Sequence, residues 1–198
     1  MKQYLAIDIG GTSTKYALVS EQGELAEKHK QPTARNSRAE FMAAMTTLIH
    51  RYQGQIAGVG LALPGVVNQQ QGIVKTCAAL PFLETIPLAA RLKDAAHLNI
   101  PVVIENDGNA AALAEHWQGK LAGTINSAMI VLGTGVGAAL FLNGTLYTGS
   151  HDVSGEPSFM ITNGLNPITR AQTAAGLSAV KTVNAMAAAQ HIRGHNLG

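Results

Sequence analysis

The chain has 198 residues, a net charge of +2 and only 13% charged residues, about half the usual share. An apolar content of 46%, with 21 glycines, excludes a disordered chain and describes an α/β protein with buried strands. The 14 Lys and Arg are scattered, which argues against nucleic acid, and the single cysteine, Cys77, rules out a disulfide framework or a cysteine-based zinc site.

No apolar run approaches the ~18 residues of a membrane span, and a strand pattern begins at once with no room for a leader. A cytoplasmic protein is therefore expected. Tyr4 to Asp8 reads as a short apolar strand ending in Gly10-Gly11, and Tyr16 to Val19 as a second. Gln22-Gly23 turns into a third, Glu24 to Lys30, completing an antiparallel meander. Phe41, Met45, Leu48 and Tyr52 recur at helical spacing, with Met42 and Ile49 beside them, and predict an amphipathic helix over 38–52. Ile56 to Leu63 is a strand stopped by Pro64-Gly65. Leu88, Leu92 and Ala95 mark a helix, Val102 to Ile104 a strand, and 108–118 an alanine-rich helix.

The opening pattern then returns. "AIDIGGTSTKYALV" (6–19) and "MIVLGTGVGAALFL" (129–142) both read as apolar strand, glycine turn, apolar strand. The repeat predicts two related lobes, 1–121 and 122–198. The latter is short for a lobe of this kind. After Tyr147 there is a loop and one helix, with Leu177, Val180, Val183 and Ala187 on one face.

Two glycine turns carry the first chemical signal. "DIGGTSTK" reads either as an ordinary glycine-rich hairpin or as a turn whose glycines let a ligand approach the backbone N–H groups, with Thr12 and Thr14 adding hydroxyl donors. Lys15 adds charge if strand alternation aims it the same way. Asp8, an acid at the end of an apolar strand beside such a turn, suits a Mg²⁺ held through water. "GTGVGA" (133–138) fits the dinucleotide fingerprint, but that motif must open a helix. Asn143-Gly144 follows too soon and predicts a hairpin, so a second phosphate-holding turn is expected rather than an NAD site.

The other signal is "VVIENDGNAAALAEH" (102–116). Asp107 reads either as a cap for the following helix or as a general base. Phosphoryl transfer needs a carboxylate to take the acceptor's proton, and two phosphate turns in the same chain favour the base. Asn106 is placed to orient the same substrate. Glu105 has the opposite strand parity and is expected to face another way.

"DIGGTSTK", "ALPGVV" (62–67), "ENDGNAAALAE" (105–115), "LGTGVGAAL" (132–140) and the Gly-Glu pair at 155–156 resemble, in order and spacing, the ROK sugar kinases. That resemblance covers most of 4–190. It implies an α/β fold of the actin/Hsp70/sugar-kinase (ribonuclease H-like) type with two lobes, and ATP-dependent, Mg²⁺-assisted phosphorylation of a hexose hydroxyl, usually O6. It implies Asp107 as catalytic base, Gly65, Asn106 and Glu156 around the sugar, and Gly10, Gly11, Thr12, Thr134 and Gly135 around the phosphates. Asp8 would lie near the Mg²⁺. The family's DNA-binding regulators carry an extra segment before the first strand, and this chain begins at that strand, so neither nucleic acid nor membrane is an expected partner.

The sequence departs from the family pattern twice. Phe159 stands where the family's zinc-binding histidine would be and no cysteine cluster follows, so no zinc is expected. A ring there suits either burial in the core or stacking on a further sugar or an aglycone, and the stacking predicts acceptance of a substituted glucose such as a β-glucoside or disaccharide. A strong preference for free glucose over cellobiose in kcat/KM would count against it. Nothing after Ala175 resembles the family's adenosine pocket, so the C-terminal lobe reads as incomplete. The apolar surface thereby exposed predicts a homodimer or swapped assembly, which a monodisperse monomer in light scattering would refute. The rival reading is a non-catalytic sugar-binding or scaffold protein of the same fold.

Overall fold

The computed structural model describes residues 1–132, 136–155 and 157–161, which fall in two compact units, 1–111 and 112–198. The first unit is built on a five-stranded mixed sheet. Its strands are β1 (Gln3–Ile9), β2 (Ser13–Ser20), β3 (Leu25–Pro32), β4 (Val59–Leu63) and β7 (Val102–Asn106), in the order β3-β2-β1-β4-β7. The meander read from the glycine turns is present, with β1, β2 and β3 antiparallel. β4 and β7 then run parallel to β1. The carboxyl ends of β1, β4 and β7 therefore share one end of the sheet, where open α/β sheets bind ligands.

Alternation divides the sheet into two faces. Leu5, Ile7, Ile9, Leu18, Leu61, Leu63 and Ile104 are buried on one face. Phe41, Met45, Leu48 and Ile49 of α1 (Arg38–Arg51), with Leu88 and Leu92 of α2 (Leu88–Ala95), complete that core. Ser37 caps α1, its hydroxyl accepting from Glu40 N–H at 3.2 Å. The opposite face is made mostly of small or charged residues, with Val103 exposed among them. Ala6, Asp8, Lys15, Ala17, Gly60, Ala62 and Glu105 line a shallow cavity of about 650 Å³ there. β3, at the edge, is exposed along nearly its whole length.

Between β4 and α2 the chain forms a hairpin of β5 (Val66–Asn68) and β6 (Ile73–Thr76), which no motif in the sequence marks. β7 runs straight into α3 (Asp107–Gln118) with no connecting loop.

In the other unit β8 (Ser127–Leu132), β9 (Val136–Leu142) and β10 (Thr145–Tyr147) form a three-stranded antiparallel meander, the counterpart of β1–β3. The segment after 133–135 is a strand, not a helix, so the dinucleotide reading fails for the reason given by Asn143-Gly144. Both turn residues have positive φ, 54° and 73°, as the tight hairpin requires. Ala112, Ala139 and Phe141 form a small core, and the His116 ring stacks on Phe141 with centroids 4.2 Å apart. Thr134, Gly135, Glu156 and the 177–187 helix lie outside the described residues, as does the side chain of Phe159.

Candidate active site

Three turns meet at the carboxyl end of the parallel strands. The first, Gly10–Thr12, joins β1 to β2. It is tight: Gly10 N–H donates to Ser13 O at 3.0 Å, and a Cβ on Gly10 would come within 2.9 Å of that same oxygen. Thr12 is exposed and the glycines carry no side chain, so an anion can approach the turn closely. Thr14, expected as a further hydroxyl donor, is not available. It is fully buried, and its hydroxyl pairs with that of Thr33 at 3.0 Å. Thr33 in turn donates to Gly10 O at 2.7 Å, and its N–H donates to Thr12 O at 3.1 Å. Thr14 and Thr33 thus brace the turn from behind. Sequence reasoning missed Thr33, which stands alone among polar residues with no motif around it.

The next turn is Pro64-Gly65, between β4 and β5. Gly65 has φ +106°, a conformation left to glycine. Any Cβ there would run into Thr76 O and lie 3.0 Å from Cys77 Cα. The Gly65 carbonyl accepts from Asn106 Nδ2 at 2.9 Å, which ties the turn to the end of β7.

The third is the β7–α3 junction. Asn106, not Asp107, is the residue that caps the helix: its Oδ1 accepts from Asn109 N–H at 2.9 Å. Asp107 follows as the first helical residue, its Oδ1 accepting, among the described residues, from the adjacent Gly108 N–H at 2.9 Å. The capping role that competed with the general-base role thus belongs to its neighbour. Glu105 lies on the small-residue face, as its parity indicated. It has a structural task that sequence reasoning did not foresee. Its Oε1 accepts from Asn106 N–H at 2.8 Å and from Asn109 Nδ2 at 3.1 Å, binding the strand end to the first turn of the helix.

Asp107 keeps an open side toward solvent while protein crowds the rest of the carboxylate. Desolvation pushes its pKa above the ordinary carboxylate value. The negative charge of Asp8 adds to the rise, and the Gly108 N–H opposes it. A carboxylate so destabilised is a better proton acceptor than one in water. Cys77, behind the Gly65 turn, is fully buried, and burial pushes its thiol pKa up, so it is no nucleophile.

Asp8 lies near the end of β1, beside the first turn. Its Oδ2 is 3.5 Å from Lys15 Nζ, so alternation does aim Lys15 the same way as Asp8. Among the described residues no three His, Cys, Asp or Glu side chains come together. One half-exposed carboxylate fits a hard cation that takes most of its ligands from water and phosphate oxygens, as Mg²⁺ does.

The mixed β3-β2-β1-β4-β7 sheet, with its glycine turns and Asp107 at one end, places the chain in the actin/Hsp70/sugar-kinase fold. The chain belongs to the ROK family, whose model matches residues 4–173. It is 32% identical over 164 residues to a glucokinase of Halalkalibacterium halodurans, covering 77% of this chain and 48% of that one. It is 29% identical over 158 residues to a beta-glucoside kinase of Klebsiella pneumoniae, covering 80% and 52%. The ROK glucokinase of Streptomyces griseus, in complex with glucose and AMPPNP, shares the fold with a TM-score of 0.78 at 22% identity, covering 96% of this chain and 62% of that one. The chain spans about half the length of the curated relatives it matches.

Proposed function

We propose that the chain serves ATP-dependent phosphorylation of a hexose or hexoside hydroxyl, O6 of the sugar, with Asp107 as the general base. The observation that carries this reading is the Asp107 carboxylate, lifted in pKa and fixed at a rigid strand–helix junction beside Gly65 and Asn106. The kinases among its relatives support the reaction class.

In the proposed reaction Asp107 accepts the hydroxyl proton as the sugar oxygen bonds to the γ-phosphorus, and the bond from that phosphorus to the bridging oxygen of ADP breaks. Among the described residues Asn106 keeps one amide N–H and one lone pair beyond its bonds to Gly65 and Asn109, enough to orient a sugar hydroxyl. Gly65, lacking a side chain, leaves room for the ring. Gly10, Gly11 and Thr12 receive the phosphates. A divalent cation near Asp8, Mg²⁺ in this reading, would offset phosphate charge.

The test is ATP-dependent sugar phosphate formation by the wild-type chain and by Asp107→Asn. Loss of a general base costs about 10²- to 10⁴-fold in kcat. Turnover lost in the variant, with sugar still raising Tm, supports the assignment. Equal turnover in both removes Asp107 from the chemistry. No turnover in either, with a sugar-dependent Tm shift in both, makes the chain a sugar-binding protein.

A further inference from the structure

One residue from each strand of the first sheet lines up in register at the site end: Lys30, Lys15, Asp8, Ala62 and Glu105. All five point to the small-residue face. The row runs from positive to negative, and Lys15 sits where the sign changes. Lys30 repels it from one side and Asp8 attracts it from the other, with Nζ and Oδ2 3.5 Å apart. Beyond Asp8, Ala62 brings only a methyl group, and Glu105 is engaged with Asn106 and Asn109.

Both partners are open to water, the Lys15 side chain 63% and the Asp8 side chain 51% exposed. Such a pair can part without stranding a buried charge, so it is exchangeable. We propose that Lys15 is a tethered counter-cation for Asp8, which a divalent ion must displace to reach the carboxylate. This rests on the reading of Asp8 as the cation's carboxylate. It makes Lys15 a positioning residue, acting through Asp8, that sets how readily the site takes its metal.

The proposal fixes a sign that a merely structural role does not. Damage to the turn weakens metal binding, whereas loss of a competitor strengthens it. Mn²⁺ alone is titrated into the full chain at low ionic strength, and free Mn²⁺ is read by its paramagnetic resonance signal. Lys15→Met, which keeps the apolar stem, should bind Mn²⁺ about two- to fivefold more tightly than wild type, the range an exposed ion pair supports. Lys15→Arg should restore wild-type affinity, and Asp8→Asn should lose the site. Equal or weaker binding by Lys15→Met, with circular dichroism unchanged, overturns the proposal and leaves Asp8 as a cation ligand. Absence of binding in both wild type and Lys15→Met, or its survival in Asp8→Asn, overturns the assignment of the cation to Asp8 and the proposal with it.

Discussion

Gly65→Ala should destabilise the first unit by about 2–4 kcal/mol. At φ +106° an L residue is strained, and positions of that kind cost about 1–3 kcal/mol. The added methyl also meets Thr76 O and lies 3.0 Å from Cys77 Cα, so the turn must shift. A shift breaks the 2.9 Å hydrogen bond from Asn106 Nδ2 to Gly65 O, worth about 0.5–1.5 kcal/mol. In a domain of this size each kcal/mol moves Tm by roughly 4 °C or somewhat more, so thermal unfolding by circular dichroism should fall by about 10–15 °C. The matched control is Gly60→Ala, in the middle of β4, where a Cβ meets nothing within 4 Å. Replacing a glycine inside a strand recovers about 0.5–1 kcal/mol, so that variant should unfold at or slightly above the wild-type temperature. A Gly65→Ala protein within about 0.5 kcal/mol of wild type, well below the strain at φ +106° alone, would refute the steric account of the turn.

Asp107→Asn should gain stability while losing the general base. The native pKa of Asp107 is raised above the ordinary 3.8, so the native state binds more protons than the unfolded chain between those two pKa values. Stability from this group is therefore present below about pH 4 and is lost as pH rises through the native value. The Tm of the variant should exceed that of wild type at pH 7, with the gap closing in acid. A gap that widens in acid would reverse the sign of the argument. Thr33→Val should cost about 1–3 kcal/mol in urea unfolding, because it leaves the buried Thr14 hydroxyl and the Gly10 carbonyl without their partner. Combined with Thr14→Val the loss should be less than the sum of the two, and strict additivity would show that the hydroxyls do not act as a pair.

Much of the fold was legible because its signals are local. Gly10-Gly11 and Gln22-Gly23 punctuate the first meander, and Asn143-Gly144 decides against a helix after 133–135. The change from apolar strand to alanine-rich helix places Asp107 within one residue of its position in the structure. What was not legible depends on contacts between distant segments. Thr14 reads as a ligand donor until Thr33, far along the chain, takes its hydroxyl. Asp107 reads in sequence as the cap, and the turn of the chain at β7 gives that task to Asn106 instead. The β5–β6 hairpin hides behind a glutamine-rich connection, Gln69 to Gln71, that carries no hairpin dipeptide. The direction of Lys15 depends on how the glycine turn sets register, which residue types alone do not fix.

The edge strand β3 has a consequence for how the protein behaves in crowded solution. Among the described residues no strand pairs with its outward side, which leaves backbone groups as a template on which another chain can add a strand. β3 carries Lys28 and Lys30 and ends in Pro32, so an approaching copy meets like charge and then a residue with no N–H to share. The same lysine that presses Lys15 toward Asp8 thus also guards the sheet against stacking edge to edge into aggregates.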